Sequence, residues 1–286
     1  MSVCEVLRYA AFTATPDGGN PAGVVLDARG LTRERMLEIA AEVGYSETAF
    51  LEAREPAGGD VRDFDVRYFS PAIEVPFCGH ATIASGVALA ERHGPGMLVF
   101  HTASGAVPLE TSLIEGGHIV ATLTSVEPHV SDVSDVDVVA ALEALRWRRE
   151  DLDVSLPPRI AYAGVRHLVL AAATRARLAR LDYDFDALDR YMKARELTTI
   201  DLVWRERQDR FHARNPFPVG GVVEDPATGA AAAAFGAYLR ALEIVEVPAR
   251  VVILQGEDMG RSSELVVDIP RGQGGIRVTG RAVPIP

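Results

Sequence analysis

Cys78, Gly79 and His80 stand in one short polar turn, and Asp225, Thr228 and Gly229 stand in another. Each turn opens a run of small apolar residues, in Glu74 to Arg92 (EVPFCGHATIASGVALAER) and in Val223 to Arg240 (VEDPATGAAAAAFGAYLR). The pattern predicts two buried helices with reactive groups at their N-termini. A helix N-terminus carries unpaired N–H groups and partial positive charge, which together hold a carboxylate or an enolate. Facing each other, two such ends would make one anion site. A third feature supplies a base: Glu47, in Gly44 to Leu51 (GYSETAFL), lies between a predicted helix end and an apolar strand. A carboxylate entering a buried strand is desolvated, which raises its pKa and suits it to proton abstraction near neutrality. The competing reading is an exposed edge residue in a salt bridge.

Glycine and alanine runs also occur wherever elements pack closely without catalysis, so the recurrence carries the argument. Gly79 and Gly229 lie 150 positions apart in a chain of 286 residues, and self-similarity at such a spacing marks a duplicated unit. The flanks repeat too. Before the first helix, a strand (Gly23 to Leu26), an amphipathic helix (Thr32 to Val43) and a strand (Thr48 to Leu51) are expected; before the second, Arg166 to Ala171, Phe185 to Ala194 and Thr199 to Trp204 follow the same order. After the first come strand-like runs at Met97 to His101, Ala106 to Thr111 and His118 to Leu123, and after the second at Arg250 to Leu254, Glu264 to Ile269 and Gly275 to Val283. Two copies of one α/β unit with a site between them are the simplest account. Residues 1–128 and 129–286 form the expected domains, the last strand being able to pair with the first. The segment after Glu52 (AREPAGGDVRD) reads as a loop, and the acidic segment Glu127 to Asp137 reads as the linker.

Composition removes several classes of function. At 48% hydrophobic and 24% charged the chain has the balance of a soluble globular protein, long enough for two cores. The longest apolar stretch, Ala230 to Val245, is broken by Arg240 and Glu243, so no membrane span is expected. MSVCEVLRYAAF has neither a basic leader nor an uninterrupted apolar core, and a cytoplasmic location is expected. Two cysteines make no disulfide framework, and Cys4 falls in an expected N-terminal strand. A net charge of −11 opposes general nucleic-acid binding, and the one basic knot, Arg146 to Arg149 (RWRR), reads as a solvated helix end. The single lysine, Lys193, sits in an amphipathic helix where a solvent-facing position is expected. Pyridoxal and Schiff-base chemistry, which need a lysine amine in the site, are therefore disfavoured. Arg271 to Arg277 (RGQGGIR) has no helix after it and reads as a hairpin turn, not a nucleotide loop. His80 and Cys78 could ligate a metal, but no third ligand stands near them in sequence. Acid–base chemistry without cofactor or metal remains.

The segments GNPAGVVLD (Gly19 to Asp27), GYSETAFL (Gly44 to Leu51), RYFSPAIEVPFCGHATIASG (Arg67 to Gly86) and VEDPATGAAAAAFGAYL (Val223 to Leu239) resemble those of the PhzF family, within the superfamily of diaminopimelate epimerase and proline racemase. They occur in the family's order across almost the whole chain. The resemblance implies an α+β, diaminopimelate epimerase-like fold of two pseudo-symmetric domains, each a mixed sheet or barrel wrapped around a central helix. It also implies a homodimer that uses no cofactor and acts on a small carboxylate. Carried over, Glu47 becomes the acid/base that moves a proton between carbons. His80 and Asp225 become polar site residues that hold substrate groups and relay a proton. Gly79, Thr228 and Gly229 match positions that bind the substrate carboxylate, and Asn20 matches the GNP element near the cleft.

Departures from the pattern sharpen the reading. Ala230 stands where the phenazine isomerase motif has a serine, so one hydroxyl donor is missing, a loss on the order of 1.5 to 3 kcal/mol for a bond to a charged group. That speaks against the phenazine intermediate as the native substrate. The racemases of the superfamily use a cysteine at each helix start; Cys78 occupies the first here and the second has none, which excludes a two-thiol racemase. Cys78 is then either a thiolate tuned by the helix end or a small space-filling residue. Two functions follow: a cofactor-independent isomerase or epimerase with Glu47 as acid/base, or a carboxylate-binding protein of the same fold that has lost turnover.

Overall fold

The computed structural model describes residues 4–54 and 62–286. The chain separates into two compact units, Met1–Thr124 with Thr279–Pro286, and Ser125–Val278. In the first unit the elements run β1 (Leu7–Ala11), β2 (Asn20–Val25), α1 (Arg33–Val43), β3 (Glu47–Ala53), β4 (Arg62–Phe69), β5 (Glu74–Val75), α2 (Gly79–His93), β6 (Gly96–Thr102), β7 (Gly105–Leu113) and β8 (Ile119–Thr124). In the second they are β9 (His129–Asp132), α3 (Asp135–Leu145), β10 (Arg159–Tyr162), β11 (Arg166–Ala171), α4 (Arg175–Ala179), α5 (Phe185–Lys193), β12 (Thr199–Arg207), β13 (Arg210–Pro216), β14 (Glu224–Asp225), α6 (Gly229–Ala241), β15 (Ala249–Gln255) and β16 (Ser263–Ile269), and the last strand is β17 (Arg277–Pro284).

Strand pairing closes the first unit on itself. From β1 the order is β2, β3, β4, β6, β7, β8 and β17, and β17 returns antiparallel to β1 through Tyr9↔Pro284 and Ala11↔Ala282. Eight strands thus form a barrel, which leaves no open edge. Two neighbours, β2 with β3 and β4 with β6, are parallel. A parallel pair needs a long crossover, and α1 and α2 are those crossovers. α2 runs through the inside: its residues from His80 to Ala90 are all buried, and it packs against β1, β2, β3, β7 and β8. Small residues make that possible, for Gly86 faces Leu109 and Ala121 where a Cβ would meet Leu109 at 2.5 Å. α1 is an outer helix. Thr32 caps it by accepting from Arg35 N, Gly44 ends it in the left-handed region, and Met36 and Ile39 cover Phe50 and Phe69.

The second unit repeats the sequence of pairings. β10, β11, β12, β13, β15 and β16 are joined antiparallel, parallel, antiparallel, parallel, antiparallel, as β1, β2, β3, β4, β6 and β7 are. α6 takes the place of α2, buried from Ala231 to Leu239 and packed against β9, β10, β11, β12 and β16. β9 pairs antiparallel with β10 as β17 pairs with β1. α3, α4 and α5 cover β10 to β12 outside, through Leu142, Leu145, Leu188, Met192, Leu168 and Leu202.

Several expectations change. Glu127 to Asp137 is not simply a linker: it holds β9 and the start of α3, whose Ser134 accepts from Asp137 N. The carboxylates of Asp135 and Asp137 lie in a first helical turn, where negative charge is favoured. Cys4 precedes β1 and lies outside any strand. The loop expected over residues 53–63 contributes Ala53 to β3 and Arg62 and Asp63 to β4, and its centre, 55–61, lies outside the described residues. In RWRR, Arg146 ends α3 in the left-handed region and Arg148 and Arg149 are exposed, but Trp147 is buried with the Arg177 guanidinium 5.0 Å from its ring. Lys193 is exposed and paired with Asp189 at 2.8 Å. RGQGGIR is a bend that leads into β17.

Candidate active site

In the first unit, Asn20, Glu47, Cys78 and His80 come together. Asn20 begins β2, Glu47 begins β3 beside it in the parallel pair, and Cys78 and His80 flank the first residue of α2, Gly79. Asn20 Nδ2 is 3.0 Å from His80 Nδ1 and donates to it, which leaves the neutral ring carrying its hydrogen on Nε2. Nε2 faces Glu47 Oε2 at 3.3 Å and Ser46 Oγ at 3.3 Å. The Cys78 thiol donates to the same Glu47 oxygen at 3.5 Å. One carboxylate oxygen thus accepts the thiol hydrogen and lies beside the imidazole Nε2, whose hydrogen-bond partner is Ser46 Oγ. The Glu47 side chain is 16% exposed and that of His80 6%, so the carboxylate is accessible without standing in bulk water, unlike an exposed edge residue. Cys78 is the N-cap of α2 and makes no side-chain capping bond; the first intrahelical bond runs from Thr82 N to Cys78 O. The amides of Gly79, His80 and Ala81 precede it.

Glu47 is also the third metal-type ligand that the sequence did not place near Cys78 and His80. The ring geometry opposes a tetrahedral ion there. Cys78 Sγ is 3.4 Å from Nδ1 and 3.7 Å from Nε2, beside the ring edge between the two nitrogens. An ion on the Nε2 lone pair, at about 2.0 Å from it and about 2.3 Å from Sγ, would need Sγ roughly 5 Å or more from Nδ1.

In the second unit, Asp225, Thr228, Gly229 and Ala230 cluster at the start of α6. Thr228 is the N-cap, the counterpart of Cys78, and its hydroxyl donates to Asp225 Oδ2 at 2.6 Å. Its amide donates to Gln255 Oε1 at 3.1 Å. Both donors of Thr228 are therefore engaged inside the protein, and the amides of Gly229, Ala230 and Ala231 precede the first intrahelical bond, which runs from Ala232 N to Thr228 O. Ala230 adds no hydroxyl.

Three features escaped the sequence reading. A clamp precedes each turn: Arg67 Nε donates to Glu74 at 2.7 Å, and Arg214 Nε donates to Glu224 at 2.9 Å. Glu74 and Glu224 both stand five residues before the glycine that starts the helix, a repeat that aligning the two halves on Gly79 and Gly229 would have exposed. Gln255 is the second, and no local pattern announces it. The third is a buried chain where Glu47 has its counterpart: Glu47 lies opposite Ala22, and Thr199 lies opposite His167 in the corresponding pair. His167 Nδ1 meets Thr199 Oγ1 at 2.8 Å, Thr199 donates to Asn215 Oδ1 at 2.6 Å, and Asn215 Nδ2 donates to Asp201 Oδ1 at 3.2 Å. Burial lifts Asp201 to about 7, against the opposing pull of the Asn215 hydrogen bond, and burial holds His167 down at about 3.

Two duplicated units, each a mixed sheet around a buried helix with polar groups at its N-terminus, define the epimerase-like class of α+β proteins. The model of the phenazine biosynthesis-like protein family matches residues 9–286, and the chain belongs to this family of PhzF-like isomerases. It is 32% identical to an uncharacterized isomerase, YfhB, of Bacillus subtilis, over 99% of this chain and 97% of that one. It is 30% identical to trans-2,3-dihydro-3-hydroxyanthranilate isomerase of Pseudomonas chlororaphis, over 88% of this chain and 86% of that one. The crystal structure of a PhzF family protein of Bacillus anthracis superposes with a TM-score of 0.87 at 28% identity, covering 98% of this chain and 96% of that one. Among the described residues no helix is long and apolar enough to cross a membrane.

Proposed function

We propose that the protein is a cofactor-independent isomerase in which Glu47 moves a proton between carbons of a small cyclic or conjugated carboxylate. The observation that carries this reading is the Glu47 carboxylate, held in a partly buried position with the Cys78 thiol bonded to one oxygen and His80 Nε2 3.3 Å from that same oxygen. Glu47 takes a C–H proton made acidic by the neighbouring carboxylate or conjugated system and returns it at another carbon; His80 relays or steadies that proton through Nε2. Backbone amides at the helix starts, Gly79 in one unit and Gly229 and Ala230 in the other, hold carboxylate or enolate charge, donors of this kind contributing about 3 to 4 kcal/mol each in a transition state. Asp225 receives the substrate's amino or hydroxyl group. The relative from Pseudomonas suggests a cyclic amino- or hydroxy-substituted carboxylate as the class to try first, and Ala230 in place of serine suggests that the preferred member differs from that relative's. The reading includes a cytoplasmic homodimer, which light scattering after size exclusion tests.

The decisive experiment is solvent exchange. In D2O, trans-2,3-dihydro-3-hydroxyanthranilate and a panel of small carboxylates are incubated with the enzyme and followed by proton NMR. The wild type is expected to wash deuterium into at least one of them, and Glu47→Gln to slow this by about 10² to 10⁴, the usual contribution of a general acid/base. Exchange that survives in Glu47→Gln and disappears in Cys78→Ser would assign the base to the thiol. A ligand that binds without any exchange would favour the second reading, a carboxylate-binding protein, which the missing hydroxyl at Ala230 favours.

A further inference from the structure

We infer that Gln255 is a positioning residue: its amide sets the Asp225–Thr228 turn and fixes the direction of the hydrogen bond by which Thr228 orients the Asp225 carboxylate. The inference rests on the reading in which Asp225 and the α6 start receive the substrate. Gln255 is the last residue of β15 and 2% exposed. Its amide makes three bonds to one turn. Oε1 accepts from Thr228 N at 3.1 Å, and Nε2 donates to Asp225 O at 2.7 Å and to Thr228 Oγ1 at 3.1 Å.

Those bonds have a polarity. Because the Gln255 N–H points at the Thr228 oxygen, the hydroxyl hydrogen must point elsewhere, and it goes to Asp225 Oδ2 at 2.6 Å. A threonine without that donor behind it can rotate or reverse its hydroxyl. Asp225 Oδ2 would then lose the Thr228 hydroxyl. Gln255 also takes up the Thr228 amide, so the anion-binding donors of α6 begin at Gly229 and not one residue earlier.

The duplication shows that the fold itself does not require this clamp. By strand register the counterpart of Gln255 is Thr102, the last residue of β6, since Asp65↔His101 corresponds to His212↔Leu254. Thr102 spends its hydroxyl on Gly105 O at 2.8 Å within its own hairpin. One half of a duplicated scaffold carries a buried amide under its turn, and the other half carries a hairpin residue. The difference falls on the half whose turn bears Asp225.

The test combines a readout that needs no substrate with one that does. Amide hydrogen exchange is followed at Thr228 in the native protein, in Gln255→Met, which loses all three bonds, and in Gln255→Glu, whose carboxylate still accepts from Thr228 N. Thr228 is expected to be protected in the native protein, to exchange at least tenfold faster in Gln255→Met, and to recover most protection in Gln255→Glu, while β13 and the middle of α6 change little. In the deuterium wash-in assay, on whichever carboxylate the native enzyme exchanges, Gln255→Met and Gln255→Glu are both expected to lower kcat at least tenfold with a smaller change in KM. Neither supplies the N–H that directs the Thr228 hydroxyl. A Thr228 amide unprotected in the native protein overturns the inference, and needs no variant to fold. So does a Gln255→Met protein whose loss of protection spreads evenly over the second unit, or whose kcat equals that of the native enzyme. If no carboxylate exchanges with the native enzyme while Thr228 is protected and released as described, the turn clamp stands and the isomerase reading fails.

Discussion

At the scale of single residues, the two units treat their polar side chains in opposite ways. Glu47 is kept partly accessible with a donor on it, whereas Asp201 is sealed in with Asn215 as its partner. Burial that raises Asp201 to about 7 has a thermodynamic consequence. The folded state keeps the proton up to about pH 7, while the unfolded chain releases it near 3.8, so stability from this group is complete below the lower value and is lost as pH rises through the upper one. His167 has the opposite sign: its folded value near 3 lies below the ordinary 6.5, so its contribution is lost as pH falls. From about pH 4 to 6.5 the two nearly cancel in the native protein. Asp201→Asn removes one side of that balance. The variant is expected to gain on the wild type by about 2 to 3 kcal/mol between pH 5 and pH 7, at about 1.4 kcal/mol per unit, and to stay level above pH 7.5. Urea midpoints at matched pH values measure this, and a difference that does not vary with pH would show that Asp201 ionises in the folded state as it does in water.

At the scale of elements, the duplicated arginine–glutamate clamps separate what a fold needs from what a position costs. Arg67–Glu74 and Arg214–Glu224 join the end of one strand to the short strand that leads into each central helix. Their side chains differ in exposure, 39% and 27% in the first pair against 9% and 7% in the second. A surface pair contributes about 0.2 to 1 kcal/mol. Removing one partner of a buried pair strands the other charge and costs about 3 to 5 kcal/mol. Glu224→Ala is therefore expected to lower stability by about 3 kcal/mol or more, and Glu74→Ala by about 1 or less, in parallel urea titrations. Replacing Arg214 and Glu224 together by Met and Leu should recover most of the loss, because no buried charge is left unpaired. Equal costs for Glu74→Ala and Glu224→Ala would mean that burial is not what distinguishes the clamps.

At the scale of the whole chain, the duplication was legible because each half contains the same order of local signals: an apolar strand, a capped amphipathic helix, a turn, and a helix of small residues. Glu47, Cys78, His80 and the Asp225 turn could be found for the same reason, since each sits at a boundary between such signals. The Arg–Glu clamps show only when the two halves are aligned, and Gln255 and Asn215 could not be found, because their partners are fixed by the folded strands, which bring residues 14 to 30 positions apart together in a way no local pattern encodes. The closing strand is the extreme case. β17 meets β1 from the other end of the chain, placing Gly280 against Phe12, where a Cβ would come within 2.3 Å of the ring, and Thr279 beside Thr122 with hydroxyls 2.7 Å apart. A barrel gains its stability from having no edge, so the last strand should matter to the first unit out of proportion to its length. Deleting residues 277–286 is expected to abolish the cooperative transition of the first unit, seen as loss of amide hydrogen-exchange protection along α2, while tryptophan fluorescence keeps a transition. Both tryptophans, Trp147 and Trp204, lie in the second unit, so the two probes separate the halves. A peptide of the deleted sequence, RVTGRAVPIP, should restore the lost protection by adding as a strand between β1 and β8. A truncated protein that kept the α2 amides protected up to the native urea concentration would show that seven strands hold the buried helix as well as eight, and that closure of the barrel is not the source of its stability.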